Sequence, residues 1–383
     1  MKTVYLAAVS AALLLCAQSA AAAVLRVGNG QRYSTIQAAS NAANPGDVIE
    51  LSPGVYNKGA TFFDAGLIVR RAPGAAAGSV IVRGGTVGGK ALFVTKGANM
   101  TVDGIRFENA RVPDRNGAGI RSEGANLTVL NCRFKNNENG ILAAGPLQNN
   151  VLTVKNSRFE DTRSPAGASV LTHAIYVGQS ISGAVIENNV FTRTTTGHHL
   201  KSRAVSTTVT GNTFDDAGGT NSYSIDIPEG GRLYVTDNVF TKGAKSPNAN
   251  MIAYGFERFK GGAFRNPTDW IWVADNRVTN RRTGATTFFN NRSDFVAELA
   301  NNQLSSSGGR LTLAAGPYQD VTGQERLTPQ QGAPAPEVDY DLEAGWIPEF
   351  EIAAPIPVPA PPAMVLFVMG AAALGLRRRQ LML

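Results

Sequence analysis

The sequence predicts an all-β solenoid made of stacked coils, and three observations carry this prediction. A short motif recurs eight times between positions 100 and 304, at intervals of 23 to 38 residues. Each copy reads as a few β-branched and apolar residues, then a polar turn, then a second short strand. An asparagine also recurs at one position of the turn in five successive copies. A constant core motif with variable spacing is typical of stacked coils joined by loops of different length.

The motif predicts which residues stack inside the coils. Its copies end on one apolar residue each, namely Phe107, Phe134, Phe159, Phe191, Phe214, Phe240, Val278 and Leu304. Two places earlier, the last five copies carry Asn189, Asn212, Asn238, Asn276 and Asn302. Asparagine tolerates left-handed backbone geometry and can hydrogen-bond to an identical side chain on the next coil, so we expect an asparagine ladder. Cys132 and Ser157 occupy the same position in earlier copies, which predicts a small buried cysteine rather than a reactive thiol.

The handedness and the N-terminal end follow from general rules. Parallel strands need crossover connections, and these are right-handed, so the coils should form a right-handed parallel β-helix. An open solenoid end needs a cap. Ser34 and Gln37 have the spacing of a helix capping box, and the helix should end before Asn44. We therefore expect an N-terminal capping helix whose apolar face, including Ile36, covers the end of the solenoid.

Both chain ends read as processing segments. Residues 1–23 combine Lys2, an apolar run and an alanine-rich stretch, which is typical of a removable secretory signal peptide. Residues 24–317 form the expected β-helix domain, and residues 318–355 show no repeat and are interpreted as a linker. Residues 356–383 join a Pro-rich spacer to 14 apolar residues and three arginines. Because a full membrane span needs about 20 residues, this stretch is short for a transmembrane helix.

The tail resembles the PEP-CTERM class of C-terminal sorting signals. That resemblance implies an exported protein, located at the cell surface or secreted, whose tail is recognised by a sorting enzyme in the membrane. Ala360 departs from the pattern, because the best-known form of the motif carries Glu at that place. A plain membrane anchor is the alternative interpretation.

The charge balance gives no support to nucleic-acid binding. The whole chain has 36 basic and 29 acidic residues. The two terminal segments hold Lys2 and three arginines but no acid, and removing these four leaves 32 basic residues against 29 acidic ones. A nucleic-acid-binding domain would need a basic stripe on its folded part. Cys16 is lost with the signal peptide, so Cys132 has no partner for an intrachain disulfide.

A known class of proteins shares these features. The coil repeat, the asparagine ladder and the segment RYSTIQAASNAANPGDVIELSPGVY together resemble the right-handed parallel β-helix proteins of the pectin lyase-like class, over residues 24 to about 317. This class includes pectate lyases, polygalacturonases, pectin methylesterases and alginate epimerases, so the resemblance implies acidic polysaccharides as ligands. Its diagnostic residues do not carry over. There is no compact acidic cluster of the calcium-dependent lyase type, and Asp215 and Asp216 lack the flanking motifs of a polygalacturonase.

The candidate site follows from aligning the second strands on their inward residues. These residues are Ile120, Ile141, Ile175, Leu200, Ile225 and Ile252. Alternation turns the next residue of each strand outward. The resulting outward column is Arg121, Leu142, Tyr176, Lys201, Asp226 and Ala253. Since neighbouring strands lie about 4.8 Å apart, Tyr176, Lys201 and an exposed Asp226 should be in contact on consecutive coils.

Five further residues complete the predicted site. We expect His199 and Arg203 to face the same way as Lys201, and Glu229 to border the patch. His173 and His198 share one register and should stack at the strand entrance. His198 and His199 would point to opposite faces and could not easily share an ion, so neither a metal nor a cofactor is predicted.

This group of residues favours one chemistry. A Lys or Arg beside a Tyr and a His can neutralise a uronate carboxylate, remove the adjacent proton and protonate the leaving oxygen. We therefore predict an exported lyase or epimerase of uronate-containing polysaccharide. Its catalytic residues are Tyr176, His199, Lys201, Arg203 and Asp226, and its substrate-binding residues are His173, His198 and Glu229.

Two alternatives remain at the level of the sequence. A glycoside hydrolase is less favoured, since an inverting enzyme needs two carboxylates about 6.5–9.5 Å apart. A non-catalytic surface or matrix protein that binds glycan would use the same face. In that case Lys201 and Asp226 would be only a cross-strand ion pair, which contributes little on a surface. The partners expected are a polysaccharide and the sorting enzyme, and the protein is expected to be a monomer.

Overall fold

The computed structural model describes residues 22–146, 150–163, 172–257, 264–266 and 270–323. The predicted sorting signal, the linker beyond Gly323 and all but two residues of the predicted signal peptide lie outside these ranges. In the part of the chain that is described, no helix is both long enough and apolar enough to span a membrane.

The protein is a right-handed parallel β-helix, as predicted. Within the described ranges, 32 strands form three sheets, and each complete coil gives one strand to each sheet. Sheet A consists of Val24–Val27, Val48–Leu51, Ile68–Arg71, Met100–Asp103, Leu127–Leu130, Val151–Lys155, Gly183–Glu187, Ser206–Thr210, Arg232–Thr236, Ile271–Ala274, Ala297–Ala300 and Tyr318–Asp320. Sheet B consists of Gly54–Lys58, Val80–Gly85, Arg106–Glu108, Arg133–Lys135, Arg158–Glu160, Val190–Thr192, Thr213–Asp215, Val239–Lys242, Arg277–Asn280 and Gln303–Ser306. Sheet C consists of Ala60–Phe62, Ala91–Thr95, Ala118–Ser122, Asn139–Ala143, Thr172–Val177, Gly197–Ser202, Tyr223–Ile227, Asn250–Tyr254, Thr286–Asn291 and Leu311–Ala315.

The coil contains three strands, whereas the repeat predicted two. The additional strand is that of sheet B, which is only three residues long in coils such as Arg133–Lys135. In that strand the central residue is Phe134, which ends one copy of the sequence motif. A strand of three residues is too short to show alternation, so the sequence pattern merged it with the preceding turn.

The phenylalanines that end the motif form one continuous stack in the core. Phe107, Phe134 and Phe159 pair in register along sheet B, and the same register continues through Phe191 to Phe240. Ring centroids of successive members lie 4.6–5.1 Å apart, and the rings are nearly parallel. Offset-stacked aromatic pairs contribute about 0.5–1.5 kcal/mol beyond their buried area. The stack therefore stabilises both the coils and their register.

The predicted asparagine ladder is confirmed. The Nδ2 of Asn212 donates to Oδ1 of Asn238 at 3.0 Å, and the same contact links Asn189 to Asn212 and Asn276 to Asn302. The left-handed residue, however, is the one before each ladder asparagine, for example Asn188 with φ 55° and Asp237 with φ 58°. The ladder side chain turns inward and bonds to backbone carbonyls of the turn, while its predecessor makes the corner.

Cys132 and Ser157 extend the ladder, as expected from their position. The backbone N–H of Cys132 donates to Oγ of Ser157 at 3.1 Å, and Ser157 in turn donates to Asn189 at 2.8 Å. Burial raises the pKa of the Cys132 thiol to about 12. The thiol therefore stays protonated at neutral pH and is a structural residue.

The N-terminal helix spans Ile36–Ala42, and its expected capping box is wrong. The N-cap is Thr35, whose side chain accepts from the N–H of Ala38 at 3.1 Å. Gln37 instead reaches the first strand of sheet C, where its side chain accepts from the N–H of Thr61 at 2.8 Å and donates to the carbonyl of Thr61 at 3.2 Å. Ile36 is buried. The helix thus satisfies the open strand edge that would otherwise invite pairing with another chain.

The ladder predicts a position-dependent effect on stability. Asn212→Ala removes a donor to the carbonyls of Ile186 and Thr210 and an acceptor for Asn189. Because these groups are buried, we expect a loss of about 3 kcal/mol in the free energy of unfolding, measured by urea denaturation. Asn302→Ala is the matched control at the half-buried end of the ladder, where water can replace the lost bonds, and we expect a loss of about 1 kcal/mol there. Equal losses at the two sites would contradict the ladder as a stabilising element.

Candidate functional site

Sheet C carries the outward column that the sequence predicts. Strand pairing places Arg121 beside Leu142 and Leu142 beside Tyr176. The same register then places Tyr176 beside Lys201 and Lys201 beside Asp226. Lys201 and Asp226 are in direct contact on neighbouring coils, which confirms the predicted register.

Lys201 is held between two carboxylates. Its Nζ lies 2.9 Å from Oδ2 of Asp226 and 2.8 Å from Oε1 of Glu257. Burial lowers the pKa of the ammonium, but Asp226 and Glu257 more than offset this and raise it above its ordinary value. Lys201 is therefore a permanent cation at neutral pH and not a base.

Asp226 faces outward but is not exposed as expected. Only 3% of the residue is accessible to solvent. Burial raises the pKa of its carboxyl above the ordinary range, although the charge of Lys201 and its hydrogen bond act in the opposite direction. Asp226 is consequently a stronger base than a surface carboxylate.

Arg203 makes a second set of ion pairs beside the first. It donates through Nη1 to Glu229, and its Nη2 lies 2.5 Å from Oε2 of Glu257. Glu229 also accepts from Nε2 of Gln179 at 2.7 Å and lies 3.3 Å from Nε of Arg265. Glu257 thus joins the two sets, because each of its two oxygens binds a different cation. We refer to Lys201, Arg203, Asp226, Glu229 and Glu257 as the ion-pair cluster.

An aromatic row lies along the same face of sheet C. The rings of His173 and His198 stack with centroids 5.0 Å apart, as predicted, and His198 stacks on Tyr223 at 5.1 Å. Tyr176 lies 5.5 Å from His173. Tyr176 and Tyr223 are half-buried, whereas both histidines are buried. The row therefore presents tyrosine surface to solvent and keeps the imidazoles beneath it.

The two stacked histidines are uncharged. Their Nδ1 atoms lie 3.1 Å apart, a contact in which one nitrogen must donate and the other accept. Burial, followed by the charge of Lys201 and then Arg203, lowers the pKa of His173 to about 3. Burial and the neighbouring His173 lower the pKa of His198 well below its ordinary value.

The expected orientation of His199 is wrong. Its ring lies inside the coil, 5.9 Å from those of Phe191 and Phe214, and the residue is completely buried. In this strand of sheet C two successive residues, His199 and Leu200, are both buried in the core. Phe288 and Phe289 are a second such pair, and both are fully buried. Strict alternation therefore assigned the outward position to the wrong histidine.

His199 belongs to a polar group in the core. Its Nδ1 contacts Nδ2 of Asn221 at 3.2 Å, and the backbone N–H of Asn221 donates to Asp216 at 3.3 Å. Lys242 donates to the carbonyl of Ser222 at 2.6 Å. Burial raises the pKa of Asp216 to about 7 and lowers that of Lys242 to about 7. Asp216 and Lys242 have no accessible surface, so this group is closed to solvent.

Sequence reasoning missed Glu257 and Gln179. Both lie in turns after strands of sheet C, where no repeat assigns a register. One signal was available for Glu257: in successive coils an acidic residue follows the outward column within three or four places, as Glu229 follows Asp226 and Glu257 follows Ala253. Among the residues described, no group of three or more His, Cys, Asp or Glu is arranged to hold a metal ion.

Comparison with known proteins yields fold relatives. The family model of the right handed beta helix region matches residues 65–214. No sequence of a curated protein matches the chain. Among solved structures, an alginate lyase from Paenibacillus sp. str. FPU-7 is 15% identical with a TM-score of 0.46, covering 77% of this chain and 99% of its own.

Two further structures show the same likeness. The pectate lyase Pel9A is 15% identical with a TM-score of 0.47, over 80% of this chain and 82% of its own. The A-module of a mannuronan C-5 epimerase from Azotobacter vinelandii is 12% identical with a TM-score of 0.38, over 72% of this chain and 91% of its own. At these identities the likeness concerns the fold alone.

The buried histidines predict a loss of stability on acidification. An unfolded histidine titrates near pH 6.5, whereas His199 is held at a pKa of about 3 by burial and by the charge of Lys242. Below pH 6.5 the unfolded state therefore binds more protons, and stability falls as the pH decreases towards 3. Lowering the pH from 7 to 5 should reduce the free energy of unfolding of both proteins. We expect this reduction to be about 2 kcal/mol smaller in His199→Phe than in the wild type, measured by urea unfolding at both pH values.

Phe214→Leu is the matched control for this measurement. It alters the same part of the core without removing a titrating group. The free energy of unfolding that it loses relative to the wild type should therefore be the same at both pH values. If His199→Phe and the wild type lose equal stability between pH 7 and pH 5, His199 is not held neutral in the folded protein.

Proposed function

We propose that the protein is exported and acts on an acidic polysaccharide at the ion-pair cluster, as a lyase or an epimerase. The observation that carries this proposal is the binding of one carboxylate by two cations. Lys201 Nζ and Arg203 Nη2 bind the two oxygens of Glu257 at 2.8 and 2.5 Å. This arrangement is suited to any carboxylate group, including the one that each uronate residue carries.

The aromatic row supports a sugar ligand. Binding sites for small or elongated ligands combine apolar and aromatic surface with a few polar groups that fix orientation. Tyr176 and Tyr223 offer half-exposed rings beside the cluster, and the buried imidazoles of His173 and His198 hold these rings in place. Glu229 positions Arg203 through an ion pair, and its own side chain is 8% accessible.

The proposed chemistry begins with neutralisation of the uronate carboxylate by Lys201 and Arg203. This makes the proton on the adjacent ring carbon more acidic, because the charge of the resulting enolate is stabilised. Asp226 accepts that proton. In elimination, the electron pair forms a carbon–carbon double bond, and the glycosidic oxygen leaves with a proton from the Tyr176 hydroxyl. In epimerisation, Asp226 keeps the proton that it removed, the Tyr176 hydroxyl donates a proton to the opposite face of the same carbon, and no bond to the glycosidic oxygen breaks.

Binding of glycan without turnover is the second candidate, and one observation favours it. In the described residues, each charged member of the ion-pair cluster is already paired with an opposite charge. A surface on which every charge is already paired can bind a ligand without having an unpaired base available for catalysis. The two candidates differ in whether purified protein releases a new product.

Tyr176→Phe tests the catalytic proposal. The full-length protein is incubated with polygalacturonate, alginate and neutral glycans, and the unsaturated product is followed by ultraviolet absorbance, reducing ends chemically and epimerised residues by NMR. Because Phe keeps the ring and removes only the proton donor, we expect turnover of the acidic substrate to fall at least about 100-fold with little change in affinity or thermal midpoint.

Arg121→Gln is the matched control, because Arg121 lies in the same outward column but pairs with Glu123 away from the cluster. Its turnover should equal that of the wild type. Wild-type turnover in Tyr176→Phe would exclude the tyrosine as the acid. Saturable binding by the wild type with no product on any glycan would establish the binding protein instead.

A further inference from the structure

Glu257 differs from the other carboxylates of the ion-pair cluster in its exposure. Its side chain is 48% accessible, against 4% for Asp226 and 8% for Glu229. Burial would raise the pKa of Glu257, but the hydrogen bonds from Lys201 and Arg203 hold it below the ordinary value. Glu257 is thus an ionised carboxylate, strongly bound on one side and open to solvent on the other.

The backbone allows this side chain to move without disturbing a strand. Glu257 lies beyond the strand Asn250–Tyr254, after a turn in which Gly255 has φ +74°. Its backbone N–H donates to the carbonyl of Pro228 at 2.9 Å, so the main chain is fixed independently of the carboxylate. A change of side-chain rotamer would release both cations while the turn stays in place.

The charges also indicate an exchangeable position. Among the described residues, the cations Lys201, Arg203 and Arg265 form ion pairs with the carboxylates Asp226, Glu229 and Glu257. Withdrawal of Glu257 leaves an excess of one positive charge, next to two buried carboxylates that cannot leave. Among the ion pairs of the described residues, one incoming carboxylate restores the pairing of Lys201 and Arg203.

We infer that Glu257 occupies a carboxylate-binding position formed by Lys201 and Arg203, and that an incoming carboxylate replaces it. Glu257 is then an internal competitor of the ligand. A uronate replaces one carboxylate with another and leaves both cations paired. A neutral sugar cannot do this, and leaving the poorly hydrated cations unpaired is costly, so only an acidic residue displaces Glu257. The identity of the ligand as a uronate rests on the proposed function, whereas the carboxylate position does not.

Acetate is the probe that tests the position without assuming a polysaccharide. Glu257→Gln keeps the shape of the side chain and removes the negative charge between Lys201 and Arg203. We expect sodium acetate to raise the thermal midpoint of Glu257→Gln by about 2–4 °C relative to sodium chloride of equal ionic strength, and to leave that of the wild type unchanged. Glu257→Asp, whose shorter side chain cannot reach both cations, should respond to an intermediate degree.

Glu123→Gln is the matched control. Glu123 is also a part-buried carboxylate between two cations, Lys90 and Arg121, at the end of a strand of the same sheet. Its removal should create no acetate dependence if the position at Lys201 and Arg203 is specific. Equal responses to acetate and chloride in Glu257→Gln and Glu257→Asp would overturn the inference.

Affinity for oligouronides separates this inference from the proposed function. Oligogalacturonate and oligoalginate should bind Glu257→Gln at least about tenfold more tightly than the wild type, while neutral oligosaccharides of equal length should bind both proteins alike. An acetate response without oligouronide binding would keep the carboxylate position and remove the polysaccharide proposal. Turnover of uronate glycan by the wild type, with no acetate response and unchanged affinity in Glu257→Gln, would keep the polysaccharide proposal and remove Glu257 as its competitor.

Discussion

The register between successive coils is the constraint on which the rest of the molecule depends. Two columns inside the solenoid fix it. The phenylalanine stack makes a one-residue slip costly, because a slip would turn every ring of sheet B from the core to the solvent. The asparagine ladder adds a second requirement, since each side chain bonds both to its neighbour and to backbone carbonyls of the turn. With these two columns set, the outward positions of sheet C are set as well, and residues 25 positions apart in the chain meet at hydrogen-bond distance.

That register produces an unusual outer face. Stacking places Lys201 against Asp226, and the turns add Arg203, Glu229 and Glu257. The charges lie close together, and all of them except Glu257 have little access to water. Buried ion pairs gain little net stability, because the cost of removing both charges from water offsets their attraction. A plain structural sheet would be served as well by apolar residues. The proposed binding of a carboxylate ligand would give these charges a role that net stability does not give them.

The sequence predicted what depends on periodicity. The outward column from Arg121 to Ala253 and the stacking of His173 on His198 follow from alternation and equal register, and both are present. His199 was assigned to the wrong face because two neighbouring residues of this strand, His199 and Leu200, are both in the core, which strict alternation does not allow. Glu257 was missed because it lies in a turn, where length varies from coil to coil. The burial of Asp226 was missed because it depends on neighbours from other coils.

The protonation states that the fold imposes limit the chemistry open to this site. Lys201 is kept charged by its two carboxylates, and the stacked histidines are kept neutral by burial and by the same lysine. None of these groups can accept a proton near neutral pH and release it again. A proton transfer at this face must therefore use a carboxylate or the Tyr176 hydroxyl. Asp226 is the best suited carboxylate, because burial raises its pKa towards neutral pH, where a general base works best. The catalytic role that the sequence predicted for His199 would require a residue that the fold places in the core.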